Sequence, residues 1–514
     1  MSFRLRLKSA WPVAWIAAVI GTAQAGEVPS PIDNRALLPP IKPDTEVVME
    51  GMSPDWMKSL IMVQFRVETA TPEGTFAAAT RVLDHLAETG VNGLWINPVF
   101  KRLPREVSPH FNGYGNEGPH TIAPELSGTE DPDASFAAAK AFVDAAHERN
   151  IRVLFDVITW GVAKQSPLGT EHEDWFLFDG AKREVWAGWA YNWNVPAMRE
   201  WFINACVQFI ELTGADGFRC DLEPHITGYE VFREVRKRLY EKGHKIIIMP
   251  EFVNSREGVY DFEQVGVGFE KALRRDAAPP IHESGSYYLE NDIIQSIRSG
   301  RGVGMGELQE QGKGGTLRYH TFNFACHDTG GARVLGSRLR TGYQAILAPF
   351  IPIWYLGEEW NNPYDTAPDK NNVLYFNHID WAKRDAPENR AFFEDVKRQI
   401  RIRRSYPEIF EHFPESQRDA NIARVEAVGN DLPAYARFAG GRAVVVVPNK
   451  SAEARSFEVR VPLADLGLPN QLIPVTDLLA EKPVAARHEN DRLIFQSEVP
   501  PDGISMYLLD AKAR

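Results

Sequence analysis

The stretch Gly217-Phe218-Arg219-Cys220-Asp221 comes directly after a small-residue turn and a segment, 198–212, that has the periodicity of a helix. The short apolar run indicates a strand, and side chains alternate faces along a strand, so Arg219 and Asp221 point the same way. A guanidinium beside a carboxylate favours the ionised carboxylate, which is the form that a nucleophile needs. A structural ion pair at a strand end is an equally good interpretation of this stretch alone.

Two further acids end apolar runs and shift the balance toward a functional site. Glu251 ends the run 246–251, and Asp328 follows His327 at the end of the run 322–328. Three acids that each end a strand-like run are better explained by one shared site than by three unrelated ion pairs.

Helical segments and short apolar runs alternate from about residue 59 onward. The predicted helices are 75–88, 134–149, 198–212, 230–242 and 390–404, and the predicted strands include 60–65, 91–100, 151–158, 217–221, 246–251 and 352–356. Near-continuous apolar strands that alternate with helices are typical of parallel βα units. About eight such units over about 350 residues predict an α/β fold, a (β/α)8 TIM barrel with insertions. A doubly wound open sheet is disfavoured, because the first strand is not followed by GxGxxG and there is no P-loop.

The remaining segments predict the domain organisation. Residues 1–25 combine three basic residues, an apolar stretch at 11–21 and Ala23-Gln24-Ala25, a pattern typical of a cleaved signal peptide, with an uncleaved anchor as the alternative. We therefore expect export to the periplasm or the extracellular medium. A proline-rich arm (26–58) precedes the barrel (59–410), and short β-type runs with Gly, Pro and Asn turns predict a C-terminal all-β sandwich at 411–514.

Composition excludes some functions. The formal net charge of −12 over 514 residues argues against a nucleic-acid partner, whose phosphates favour basic patches. The three cysteines, Cys206, Cys220 and Cys326, have no metal-ligand spacing, and we interpret Cys220 and Cys326 as small apolar residues in or beside strands. Neither a cofactor nor a metal is expected, and the oligomeric state stays open.

Acids at the carboxyl ends of different barrel strands converge on one pocket. Two carboxylates that face each other across such a pocket suit glycosidic cleavage, one as nucleophile and the other as general acid and base. The residues alone therefore point to a carbohydrate-cleaving enzyme.

The motifs resemble those of a known family. The stretches 217–221, 250–252 and 327–328 are similar, in order and context, to motifs of the α-amylase family, glycoside hydrolase family 13. Further similar stretches are 93–98, 108–110, 113–114, 141–157 and 353–359. The resemblance covers roughly residues 55–410 and implies a retaining enzyme that hydrolyses or transfers α-linked glucosyl units.

The resemblance also implies a role for each matching residue. Asp221 would be the nucleophile, Glu251 the general acid and base, and Asp328 the transition-state stabiliser. Arg219 would hold the nucleophile. The remaining matching residues would bind the substrate: His327, Tyr114 and His225. Ordinary loop packing is the alternative for Tyr114 and His225.

One segment of the chain departs from the family pattern, and the loop after it has two possible roles. After Asp156-Val157 the family usually has an Asn, which commonly helps bind calcium, and a His, whereas this chain has Ile158-Thr159-Trp160-Gly161. We therefore expect no calcium at this position.

The loop that follows is rich in aromatic residues, which either contact substrate or pack the loop on the barrel. These residues are Trp175, Trp186, Trp189, Tyr191 and Trp193. The altered region keeps two alternatives open, a carbohydrate-binding protein on the same scaffold and a glycosidase for a non-starch glycan.

Overall fold

The structure is a computed structural model, and it describes residues 31–42, 54–102, 113–178, 184–185, 188–221, 226–251, 263–265, 320–323, 327, 342–343, 346–347, 351–362, 377–412 and 421–513. The predicted signal peptide, most of the predicted arm, Asp328, His225, Cys326 and Trp186 lie outside these residues. Among the helices in the described ranges, none is both long enough and apolar enough to cross a membrane.

Helices and strands alternate in the first part of the chain and strands dominate the last part. The helices are α1 (Val67–Ala70), α2 (Phe76–Ala79), α3 (Val82–Thr89), α4 (Pro124–Ser127), α5 (Pro132–His147), α6 (Leu168–Glu171), α7 (Pro196–Thr213), α8 (Ile226–Glu241), α9 (Pro387–Ser405) and α10 (Pro407–Phe410). The strands are β1 (Met62–Phe65), β2 (Gly93–Ile96), β3 (Arg152–Ile158), β4 (Gly161–Ala163), β5 (Glu184–Val185), β6 (Gly188–Ala190), β7 (Gly217–Asp221), β8 (Ile247–Pro250), β9 (Glu263–Val265), β10 (His320–Asn323), β11 (Ile351–Tyr355), β12 (Ile422–Ala427), β13 (Ala434–Ala439), β14 (Arg442–Asn449), β15 (Arg455–Pro462), β16 (Val475–Asp477), β17 (Lys482–Val484), β18 (Ala486–Glu489), β19 (Arg492–Val499) and β20 (Gly503–Asp510).

Eight parallel strands form the central sheet, in the order β8-β7-β3-β2-β1-β11-β10-β9. Strand β11 pairs with β1, so the last strand of this sheet returns to the first. Strands β8 and β9, the two ends of the order, also contact each other. The sheet is therefore curled into the barrel that the sequence predicts, and this prediction of the fold class is confirmed.

Helices cover the outside of the barrel, and apolar side chains fill its interior. Asp131 caps the N-terminus of helix α5: its side chain accepts a hydrogen bond from the Ala134 N–H at 2.8 Å and so satisfies one free donor of the first turn. The predicted helix over 75–88 is in fact two helices, α2 and α3. The interior cluster of the barrel includes Trp95, Leu154, Met249 and Ile353, which come from four different strands.

A small antiparallel sheet, β4-β6-β5, follows the third barrel strand. Strand β4 begins only three residues after β3 ends, and Gly161 pairs with Ala190 on β6. A Cβ atom built on Gly161 would lie 1.8 Å from the carbonyl oxygen of Trp189. Only glycine therefore allows the two strands to approach this closely at that position.

The C-terminal part is a β-sandwich. Its strands follow the order β17-β16-β20-β14-β13-β12-β15-β19-β18, and β12 pairs with β13 at one end and with β15 at the other. Side chains from both halves share one core, among them Val445, Val459, Phe495 and Leu509. The predicted all-β class is confirmed, while the boundary at residue 411 stays a prediction. The Tyr435 hydroxyl donates to the Tyr343 carbonyl oxygen at 2.6 Å, which ties the sandwich to the rest of the chain.

Replacing Gly161 with Ala forces the new methyl group into the Trp189 carbonyl. We expect the free energy of unfolding to fall by about 2–3 kcal/mol, the cost of overpacking a close contact. Gly214→Ala is the control, because Gly214 has a positive φ of 72° but open space around its Cα. The control variant should lose about 1 kcal/mol, from backbone strain alone. Urea unfolding measures both, and equal losses in the two variants would contradict the contact at Gly161.

Candidate active site

Arg219 lies at the centre of a buried carboxylate cluster at the carboxyl ends of three neighbouring strands. Its Nη1 donates to Oδ1 of Asp221 at 2.8 Å and to Oδ1 of Asp156 at 2.9 Å. Its Nη2 lies 3.4 Å from Oε1 of Glu251, the residue that follows β8. The structure thus brings together three of the predicted site residues, Arg219, Asp221 and Glu251.

Asp156 is a member of this cluster to which the sequence analysis gave no role. It lies on β3 opposite Arg219 on β7 in the parallel register, and its side chain is fully buried. Its Oδ2 accepts hydrogen bonds from the Tyr114 hydroxyl at 2.7 Å and from Trp95 Nε1 at 3.0 Å. The signal in the sequence was an acid near the end of an apolar run, the same signal that identified Asp221.

A chain of polar side chains extends from Asp156 to His327. The Asn97 side-chain amide donates to the Tyr114 hydroxyl at 3.1 Å, and the Gln64 amide donates to Asn97 Oδ1 at 3.2 Å. The same Gln64 amide lies 2.5 Å from His327 Nδ1. His327 also stacks on Tyr114, with 5.1 Å between the ring centroids. The two predicted sugar-binding residues in the described ranges are therefore neighbours, and each is held by hydrogen bonds.

The pKa values of the two aspartates in the cluster reflect burial as well as the guanidinium. Burial raises the pKa of the Asp221 carboxyl well above its ordinary value; Arg219 opposes this rise, while Glu251 and Asp156 add to it. Burial also raises the pKa of Asp156, again against the effect of Arg219. Arg219 thus acts in the predicted direction, toward the ionised carboxylate, while burial and the two neighbouring carboxylates act against it. The ionisation of Asp221 near neutral pH stays a prediction.

Two predicted site residues cannot be located, because Asp328 and His225 lie outside the described residues. Asp328 follows His327 directly in the sequence, and His327 is buried beside Tyr114. The roles assigned to Asp328 and His225 stay predictions.

In the segment after β3, this chain has Trp160 and Gly161 and lacks the polar Asn and His that are usual in the family. Trp160 packs with Tyr114 and Ile158 in one small apolar cluster. A Cβ atom on Gly188 would lie 2.5 Å from the Trp160 ring, so this glycine makes room for the indole. Indole has no oxygen to offer a calcium ion, so the Trp160 side chain does not fit a calcium site at this position.

Among the described residues no group of three or more His, Cys, Asp or Glu side chains is placed to hold a metal. The expected lack of a metal stays a prediction for the whole chain.

Most of the aromatic residues in the loop after β3 pack rather than line a pocket. Trp175, Tyr191 and Trp193 are buried. Tyr191 and Trp193 both contact Phe202 on α7 edge to face, with centroids 5.9 and 5.1 Å from its ring. Trp189 is half-buried and donates to the Lys164 carbonyl oxygen at 3.1 Å. The packing interpretation therefore holds for the three buried rings.

Comparison with known proteins agrees with the motifs. The sequence model of the family "Alpha amylase, catalytic domain" matches residues 57–175. The α-amylase MalA of Haloarcula japonica is 24% identical over 277 residues, which is 46% of this chain and 39% of that protein. The malto-oligosyltrehalose trehalohydrolase of Deinococcus radiodurans is 24% identical over 386 residues, which is 68% of this chain and 62% of that protein. The chain thus spans between about two fifths and three fifths of these relatives.

Solved structures with the same fold cover nearly the whole chain. The maltogenic α-amylase AmyB of Thermotoga neapolitana superposes with a TM-score of 0.67 at 18% identity, over 88% of this chain and 98% of that one. The α-amylase GTA of Geobacillus thermoleovorans gives 0.66 at 17% identity, over 89% and 99%. At such identities the likeness concerns the fold. The match to the catalytic-domain model, the similar relatives and the shared fold all indicate the α-amylase family, glycoside hydrolase family 13, which the motifs resemble.

Replacing Arg219 with Met leaves the buried carboxylates without their cation. We expect the free energy of unfolding at pH 7 to fall by about 3–5 kcal/mol, as when one partner of a buried ion pair is removed. Arg238→Met is the control, because Arg238 pairs with Glu200 at the surface at 2.8 Å. Its loss should stay below about 1 kcal/mol. Urea unfolding of both variants tests this, and equal losses would contradict the central role of Arg219.

Proposed function

We propose that the protein is a retaining glycoside hydrolase or transglycosylase that acts on α-linked glucosyl units of α-glucans or maltooligosaccharides. The observation that carries this proposal is the pair of acids, Asp221 and Glu251, that neighbouring barrel strands bring to the same guanidinium. The similar relatives are named as an α-amylase and a malto-oligosyltrehalose trehalohydrolase, and these names support the substrate class. The predicted signal peptide at 1–25 supports export from the cytoplasm.

In the first half of the reaction an Asp221 carboxylate oxygen attacks the anomeric carbon. A bond forms between that oxygen and the carbon, and the bond to the leaving oxygen breaks. Glu251 gives its proton to the leaving oxygen, so no free alkoxide forms. The attacking form of Asp221 is the ionised carboxylate, and burial, which raises its pKa, makes that form harder to reach. The hydrogen bond from Arg219 favours the ionised carboxylate once that proton has gone.

In the second half the ionised Glu251 takes a proton from water or from a sugar hydroxyl. The oxygen of that acceptor attacks the anomeric carbon and releases the Asp221 carboxylate. Water gives hydrolysis and a sugar hydroxyl gives transfer. The two outcomes share every residue named so far and differ only in which acceptor reaches the intermediate.

The resemblance assigns the remaining residues to sugar binding. Tyr114 would stack under the sugar ring, since an aromatic face suits the apolar face of a sugar, and His327, which stacks on one face of Tyr114, would hydrogen-bond the sugar. Asp328 would stabilise the cationic transition state, and His225 would line the leaving-group side. These roles rest on the family resemblance.

A carbohydrate-binding protein on the same scaffold is the second candidate, and Trp160 favours it. The indole packs against Tyr114 where the family usually has polar residues. Such a protein would bind glucans without cleaving them, so an activity assay separates the two candidates. A glycosidase for a non-starch glycan would cleave other members of a glycan panel instead.

Asp221→Asn should abolish product release, because the amide is a poor nucleophile. We expect at least about a thousandfold loss of kcat on soluble starch, maltooligosaccharides and pullulan, since no covalent intermediate can form. Reducing-end release by the protein without its predicted leader measures this. The control is Asp216→Asn, because Asp216 is also buried but binds His147 and Arg152 one residue before the start of β7. Equal activity in Asp221→Asn and the native protein would exclude the proposed mechanism.

The activity should decline on the acidic side at a pH well above 3.8, the ordinary pKa of an aspartate. Asp221 must be ionised to attack and its pKa is raised, so kcat/KM falls as the pH decreases through that raised value. Asp156→Asn removes one neighbouring negative charge and frees Arg219 for Asp221, so the acidic limb should move to lower pH. A pH profile of kcat/KM from pH 3.5 to 8 measures the shift. An acidic limb that stays in place or moves upward would contradict the proposed coupling of the two acids.

A further inference from the structure

Thr159 holds the backbone carbonyl of the proposed nucleophile, Asp221. It lies one residue beyond β3 and is fully buried. Its N–H donates to the Asp221 carbonyl oxygen at 3.2 Å, which continues the β3–β7 ladder, and its Oγ1 donates to the same oxygen at 2.6 Å. Asp221 is therefore fixed at both ends, its carboxylate by Arg219 and its carbonyl by Thr159.

Thr159 is itself fixed by the small sheet that follows it. Gly161, two residues later, pairs with Ala190, and the contact of Gly161 with the Trp189 carbonyl leaves no space for a side chain. Between them, the Trp160 carbonyl accepts a hydrogen bond from the Tyr191 N–H at 3.0 Å. The segment 159–161 therefore cannot shift without disturbing the ladder between β4 and β6.

We propose that Thr159 is a positioning residue for Asp221, through which the β4–β6 sheet sets the place of the nucleophile. The inference rests on the proposed function, because it assumes that the Asp221 carboxylate attacks the substrate. Asp221 is the last residue of β7, so the ladder that fixes most of the strand ends there. The Thr159 hydroxyl supplies a second hydrogen bond at the point where strand pairing stops. A displacement of about 1 Å at a reacting group costs as much as a hundredfold in rate.

The test is Thr159→Val, which keeps the shape of the side chain and removes the hydroxyl. We expect kcat on maltooligosaccharides to fall about tenfold or more, with KM within about twofold, because the nucleophile shifts while the sugar-binding groups stay. Thr159→Ser restores the hydroxyl and should recover most of kcat. Thr89→Val is the matched control, since Thr89 is also fully buried and its Oγ1 donates to the His85 carbonyl oxygen at 2.7 Å, away from the carboxylate cluster. This control should keep the native kcat.

Native kcat in Thr159→Val, or an equal loss in Thr89→Val, would overturn the proposal. A crystal structure of Thr159→Val gives a second readout that needs no substrate. It should show the Asp221 carboxylate displaced from its 2.8 Å contact with Arg219 Nη1, and an unmoved carboxylate would also overturn the proposal. If the native protein cleaves no α-glucan but the carboxylate moves in the variant, the proposed function fails while the positioning by Thr159 stands.

Discussion

The hydrogen bonds of one guanidinium, that of Arg219, are the interaction on which the rest of the site depends. This side chain is 2% exposed and contacts acids from β3, from β7 and from the residue after β8. Carboxylates brought together in a buried site repel one another and lose hydration, and this cation offsets part of that cost. The guanidinium is also always protonated, which makes it a fixed positive charge at the centre of a group of titratable acids.

The barrel places this cation by register and by close backbone contacts. Asp156 lies opposite Arg219, and Ile158 lies opposite Asp221, so one parallel ladder aligns two of the acids. Gly217 begins β7 with a φ of 152°, and a Cβ atom there would lie 1.9 Å from the Ile247 carbonyl oxygen. The glycine allows β7 and β8 to pair closely at this point. Glu251 follows directly at the end of β8, so this pairing positions it beside β7. The close spacing of the strand backbones therefore determines where the acids lie around Arg219.

Much of this arrangement could be predicted from the sequence. Alternation along a strand predicted that Arg219 and Asp221 share a face, and the βα pattern predicted a barrel with acids at one end. Both inferences rest on local periodicity, which the chain itself displays. The part played by Asp156 could not be predicted from the sequence, because its contact depends on which residue of β3 lies opposite Arg219. That register is a property of the sheet and cannot be read from a single strand.

The direction in which the pKa of Asp221 shifts could not be predicted for a related reason. Its pKa depends on the balance between burial, which raises it, and Arg219, which lowers it. The sequence shows the neighbouring cation but not the depth of burial or the number of nearby acids. The rings of the loop after β3 show the same difficulty. Their composition suited sugar binding, yet Trp175, Tyr191 and Trp193 are buried in the packing around α7.

The central claim is that the acids gathered by Arg219 cleave an α-glucosidic bond by two successive displacements. The most direct test is the configuration of the first product, followed by proton NMR during the hydrolysis of a maltooligosaccharide. We expect the α-anomer to be released first and the β-anomer to grow later by mutarotation, because two inversions restore the original configuration. Initial release of the β-anomer would show a single displacement by water and would contradict the role of Asp221 as the nucleophile.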